Sequence, residues 1–111
     1  ALLPHTAALV HHGGIGTTAE ALRSGTPQLI TPFAWDQFDN GDRIASLGAG
    51  MVTPAKRLRS RKLARSLQIL TTSDTIRARC SQLAIRFMPP HEPTTLCQEV
   101  ERFVLSEHND V

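Results

Sequence analysis

The sequence predicts an α/β protein: a partial parallel sheet of about three strands, with flanking helices and a helical carboxyl-terminal part. Three observations point there. Short apolar runs at 7–11, 27–32 and 50–54 are each closed by glycine or proline, the first within two residues of its end. Helix-patterned segments separate them, and strand–helix–strand alternation at this spacing builds βαβ units on a parallel sheet. Beyond residue 55 the apolar residues recur at helical spacing only.

The elements follow in order. Ala7 to His11, "AALVH", is an apolar run closed by a glycine cluster and reads as a buried strand. Thr17 to Ser24 holds good helix formers, and Gly25 supplies a stop. Pro27 to Pro32, "PQLITP", is the second strand, confined by its prolines. Asp36 to Leu47 is a helix that should turn Phe38, Ile44 and Leu47 to the core. Gly41 weakens it by about 1 kcal/mol relative to alanine. Gly48 and Gly50 end it, and "GMVTP" is a short third strand.

Three helices complete the chain. Ser60–Leu70 carries Leu63, Leu67 and Leu70; Asp74–Met88 carries Ile76, Leu83 and Phe87; Thr94–Glu107 carries Leu96, Val100, Phe103 and Val104. The division is a βαβαβ core over 1–54 and a helical portion over 55–111. Each crossover should be right-handed. Doubly wound sheets commonly hold about six strands, so the chain reads as half of a Rossmann-like domain, its first strand beside strands that are not here. A start without Met or a leading polar segment reads as a cut inside a longer protein.

Composition narrows the function classes. The 111 residues are 41% hydrophobic and 20% charged, which suits a globular domain. A net charge of +2 is too mild to argue for nucleic acid or membrane binding. The basic run from Lys56 to Lys62 reads as a solvated helix start, with membrane-surface contact as its alternative. Cys80 and Cys97 read as reduced thiols. The expected location is cytoplasmic or membrane-peripheral.

The chemistry concentrates in "HHGGIGTTAE", His11 to Glu20. A loop leaving a parallel strand for a helix N-terminus is where α/β proteins bind phosphate. Glycines let backbone N–H groups approach an anion. Thr17 and Thr18 offer hydroxyl donors while capping the helix, and His12 offers a ring N–H. Glu20, one turn in, suits a ribose diol. The turn is neither a Walker loop nor G-x-G-x-x-G. A bare tight turn would explain the glycines alone, and no further ligand at zinc-like spacing makes the histidine pair a metal site.

A second cluster, "TPFAWDQFDNGDR", follows the next strand. Trp35, Asp36 and Gln37 combine acceptors and donors that suit sugar hydroxyls. Asp36 as a helix cap is the plainer reading of the same residues. Two such loops on consecutive strands favour a nucleotide-sugar pocket.

From about Leu9 to Gly50 the sequence resembles the donor-binding motif of family-1 glycosyltransferases, enzymes of GT-B fold. The agreement lies in His12, Gly14, Glu20, Gly25, Pro27, Gln28, Pro32, Asp36 and Gln37, with Glu20 eight residues after His12. "GGIGTT" in place of the plant "GWNS" pattern resembles the bacterial and sterol-type branch. The resemblance implies the carboxyl-terminal half of a GT-B fold that binds a UDP- or dTDP-sugar as substrate, without an obligatory metal. It implies that His12 bonds the α-phosphate, that Gly14, Gly16 and Thr17 line the diphosphate, and that Glu20 holds the ribose. Asp36 and Gln37, beside Trp35, would hold the transferred hexose. His11 should be structural, and Asn40 and Arg43 should pack or pair locally.

The implied reaction is inverting transfer to an acceptor hydroxyl. Its base would come from a missing amino-terminal domain, leaving no catalytic residue in this fragment; His5, His91 and His108 match no motif. The isolated chain should then bind nucleotide weakly, catalyse nothing, and be open to self-association. The rival readings are a murein-type N-acetylglucosaminyltransferase and a non-catalytic nucleotide- or sugar-binding module.

Overall fold

The computed structural model of the chain describes residues 7–87, together with Gln98 and Arg102. Its elements are β1 (Leu9–His11), α1 (Ile15–Ser24), β2 (Gln28–Ile30), α2 (Asp36–Leu47), β3 (Gly50–Val52), a 3-10 turn (Ala55–Arg57), α3 (Ser60–Thr72) and α4 (Asp74–Arg86). The helix expected over 94–107 lies outside the described residues, Gln98 and Arg102 excepted.

The three strands pair in parallel in the order β1-β2-β3. Leu9, Val10 and His11 register with Gln28, Leu29 and Ile30. Those three register in turn with Gly50, Met51 and Val52. Backbone bonds from Leu9 N to Pro27 O, 2.9 Å, and from Thr31 N to His11 O, 2.8 Å, extend the first ladder at both ends. β2 is central and every one of its residues is buried. The strands are shorter than expected, because Pro27 and Pro32 flank β2 without donating to the ladder.

With this order, right-handed crossovers carry α1 and α2 over the same face of the sheet. The core sits there: Ala19 and Leu22 of α1, Ile30 of β2, Ile44 and Leu47 of α2, Ala49, and Cys80, Leu83 and Phe87 from α4 and its end. Gly41 does more than weaken α2. A Cβ at that position would lie 2.7 Å from Val52 Cγ2, so the glycine lets the helix approach β3. Phe38 departs from expectation: it is 38% exposed, outside the core. It sits in the first turn of α2, near the sheet's edge rather than over its middle.

Both crossover helices end on a glycine in the left-handed region, Gly25 at φ 71 and Gly48 at φ 79. Thr26 N bonds Ala21 O at 3.0 Å and Ala49 N bonds Ile44 O at 3.2 Å, closing the orphan carbonyls of each last turn. α4 covers both turns. Its Arg79 Nε donates to Leu47 O at 2.7 Å, and Cys80 Sγ contacts Ala49 O at 3.5 Å. Cys80 is a free, buried thiol, and burial pushes its pKa up to about 11. α3 meets β2 and β3. No described helix is long and apolar enough to cross a membrane.

Candidate functional site

All three strands point the same way, so the loops that follow them open at one edge of the sheet. The loop after β1 runs straight into α1. The helix begins at Ile15, two residues before the expected Thr17, and its N-cap is Gly14, which has no side chain to cap with. The first intrahelical bond is Thr18 N to Gly14 O, 2.9 Å. The amides of Ile15, Gly16 and Thr17 therefore lack an intrahelical acceptor. They stand at the positive end of the helix dipole. Gly14 and Gly16 are exposed, and nothing lies within 4 Å of a Cβ built on either.

The two threonines differ. Thr17 is exposed. Thr18 is buried at 2% exposure, and its hydroxyl donates back to Gly14 O at 2.7 Å. This corrects the expectation that both threonines cap the helix and offer free hydroxyls: Thr18 braces the loop from inside. Glu20 is half-buried, one turn further on, and ion-pairs with Arg23 at 2.8 Å.

The adjacent histidines also part company. His11 Nδ1 accepts the Gly13 N–H at 3.1 Å. Its proton is thereby placed on Nε2, which donates to Gln28 Oε1 at 2.7 Å. Gln28, fully buried, passes the chain on to Thr18 O at 3.4 Å. Burial lowers the His11 pKa from 6.5; the Gln28 bond opposes that shift, and neighbouring His12 adds to it. His11 is structural, as expected. His12 is exposed. Its Nδ1 faces Thr31 O at 3.1 Å, and a carbonyl only accepts, so Nδ1 carries a proton. The ring stands edge-on to Phe33, centroids 4.6 Å apart. Nε2 makes no bond among the described residues.

The second loop packs against the first. Gly13 is buried with φ 102, and a Cβ there would lie 2.9 Å from Gln37 O. Asn40 Nδ2 donates to Gly13 O at 2.8 Å. Sequence reasoning gave Asn40 only a local role; nothing in the local pattern signals a bond across 27 positions. Gln37 Oε1 accepts the Phe33 N–H at 3.1 Å, drawing the corner closed. Asp36 is exposed. It is the first residue of α2, not its cap; Trp35 is the N-cap, at φ 53 and ψ −134. Trp35 is 90% exposed and Phe33 60%. Arg43 pairs with Asp39 at 2.7 Å, the local role expected of it. Among the described residues no His, Cys, Asp and Glu side chains gather as a metal site.

Among the described residues the arrangement presents three unbonded amides, a histidine held through Nδ1 and an unbonded threonine hydroxyl beside a corner of exposed aromatic and polar groups. Such a set can hold an anion and, next to it, a polyol.

The chain is similar to known proteins over most of its length. The family model for the erythromycin biosynthesis protein CIII-like C-terminal domain matches residues 1–103. A sterol 3-beta-glucosyltransferase of Aspergillus fumigatus is 38% identical over 101 residues, which is 91% of this chain and 7% of that protein. One of Saccharomyces cerevisiae is 41% identical over 78 residues, 70% of this chain and 6% of that protein. The chain thus spans less than a tenth of the length of these curated relatives. Among solved structures, the glycosyltransferase VinC in complex with dTDP superposes with a TM-score of 0.72 at 32% identity, covering 99% of this chain and 27% of that one. The spinosyn forosaminyltransferase SpnP gives 0.74 at 26%, covering 94% and 28%.

Proposed function

Because the chain belongs to the erythromycin biosynthesis protein CIII-like C-terminal domain family, the donor-binding part of family-1 glycosyltransferases, we propose that it holds a nucleoside-diphosphate sugar at the loop between β1 and α1. The observation that carries this reading is the uncapped start of α1. Ile15, Gly16 and Thr17 offer amides that no side chain among the described residues satisfies, and Gly14 and Gly16 leave the approach open.

The diphosphate sits on those amides, with Thr17 and His12 at its sides; since His12 Nδ1 donates to Thr31 O, its bond to a phosphate oxygen requires a second proton, on Nε2. Glu20 takes the ribose hydroxyls, exchanging part of its exposed pairing with Arg23. Asp36 and Gln37 hold the transferred hexose, beside Trp35. The nucleotide is UDP or dTDP; the dTDP bound to the structural neighbour VinC supports the second. As the acceptor hydroxyl attacks with inversion, negative charge grows on the leaving diphosphate, where amides and helix dipole are already aimed. The general base belongs to the amino-terminal half of the enzyme. The names of the curated relatives support an apolar alcohol of the sterol type as acceptor.

Isothermal titration of the chain with UDP and with dTDP tests the reading. Binding in the millimolar range is expected. His12→Ala should weaken it by about 10- to 150-fold, the loss of one charge-assisted bond of about 1.5–3 kcal/mol. No heat with either nucleotide, or equal heat with His12→Ala, overturns it.

A further inference from the structure

The strongest feature outside the donor loops lies on α3 and the turn before it. Lys56, Arg57, Arg59, Arg61, Lys62 and Arg65 fall within ten residues, and no Asp or Glu occurs between Asp42 and Asp74. All six cations are exposed. None of their side chains has a hydrogen bond or ion pair among the described residues.

This placement works against the helix. α3 has no acidic residue in its first turn, and Arg59, Arg61 and Lys62 stand at the positive end of its dipole. Arg61 and Arg65, four apart, repel each other. A local rule broken without internal compensation points to a partner that supplies the missing charge.

The cations also flank an apolar surface. A groove of about 630 Å³ is lined by Met51 of β3, by Ser66 and Ile69 of α3, and by Arg59, Arg61, Lys62 and Arg65. Ile69 is 39% exposed. The aliphatic stems of the arginines and lysine extend the apolar lining while their charged ends reach solvent. Apolar floor and cationic rim together match the boundary between lipid headgroups and acyl chains. A nucleic acid fits less well, since residues 55–73 hold no aromatic side chain to stack on a base.

We propose that this face docks on a membrane surface rich in anionic phospholipid, with Arg59, Arg61, Lys62 and Arg65 among the phosphates and Met51 and Ile69 between them facing the bilayer. α3 starts from the loop after β3, at the same sheet edge as the two donor loops, so docking brings that edge to the bilayer. The proposal does not depend on what the donor loops bind.

Flotation of the 111-residue chain with phosphatidylcholine vesicles, with and without phosphatidylglycerol, tests it. Binding is expected only with phosphatidylglycerol and should fall steeply at high salt. Each neutralised cation should reduce partitioning about fivefold, so Arg59→Gln, Arg61→Gln, Lys62→Gln and Arg65→Gln together should reduce it several-hundredfold. Ile69→Ser, with no charge altered, should reduce vesicle binding several-fold but leave binding to a single-stranded oligonucleotide unchanged. His12→Ala should float like the parent chain, which separates this proposal from the donor site. Equal binding to both vesicle types, no binding to either, or a full-strength Ile69→Ser variant overturns the assignment. Should the quadruple variant fail to fold, the salt dependence and Ile69→Ser still decide.

Discussion

Asn40 of α2 donates its side-chain amide to the carbonyl of Gly13, 2.8 Å away, and so ties the loop after β2 to the loop after β1. Both partners are buried. The bond makes one site of two sequence clusters. Asn40→Ala leaves the Gly13 carbonyl buried and unpaired, at about 1–3 kcal/mol. Urea unfolding should show that loss, and nucleotide titration should show weaker binding even in chains that remain folded. A variant with unchanged urea midpoint and unchanged affinity would refute the coupling.

Two glycines make opposite predictions. A Cβ at Gly50 would collide with the Gln28 carbonyl across the β2–β3 ladder, backbone that cannot step aside. Gly50→Ala should therefore break the ladder and cost about 3 kcal/mol or more. Gly16 lies in α1 with open space around it, so Gly16→Ala should stabilise the helix by about 0.5–1 kcal/mol. If the diphosphate approaches that backbone, the same stabilised chain should bind UDP less well. Thermal melts beside titrations read both effects.

Trp35 combines a φ of 53 with 90% exposure. That backbone region costs a non-glycine residue about 1–3 kcal/mol. Trp35→Gly should relieve the strain, less about 0.5–1 kcal/mol for glycine's extra freedom when unfolded. Were Trp35 part of the hexose subsite, the variant should lose affinity for the sugar nucleotide and keep its affinity for the bare nucleotide. Equal affinity of parent and variant for both ligands would remove Trp35 from the site.

His11 gives the fold a pH dependence. Its pKa is lowered in the folded chain, chiefly by burial, so the unfolded chain binds the proton more readily. The stabilising contribution is complete above the ordinary value of 6.5 and fades as pH falls through the lowered folded value. Urea midpoints of the parent should drop across that window more than those of His11→Gln. Parallel pH profiles for the two chains would contradict the buried, neutral His11.

Much of this was legible in the residues. Asp36–Leu47 is the helix expected, because Gly48 ends it and the Ile44–Leu47 spacing faces the core. The loop after β1 is glycine-rich in the sequence and opens onto an uncapped helix start in the fold. What sequence concealed has physical causes. The threonine pair suggested caps, but an exposed glycine caps α1 and Thr18 turns its hydroxyl inward. Phe38 fits the apolar period of α2 yet lies too near the helix start to reach the sheet. Asn40 was expected only to pack or pair locally, since only the folded packing of α2 beside the first loop makes its amide a tie.

The way α4 seals both glycine turns has a consequence for chain length. A Cβ at Gly25 would rest 3.4 Å from Ala84 Cβ, and one at Gly48 3.3 Å from Arg79 Cγ. The segment that carries the loops after β1 and β2 is thus completed by residues that leave the ribosome well after it. A truncation drawn at the end of β3, where the recognisable motif stops, would strip the lid from both reversals and expose Leu22 and Ile44 to water. The shortest piece worth expressing for the nucleotide titrations runs at least through Phe87.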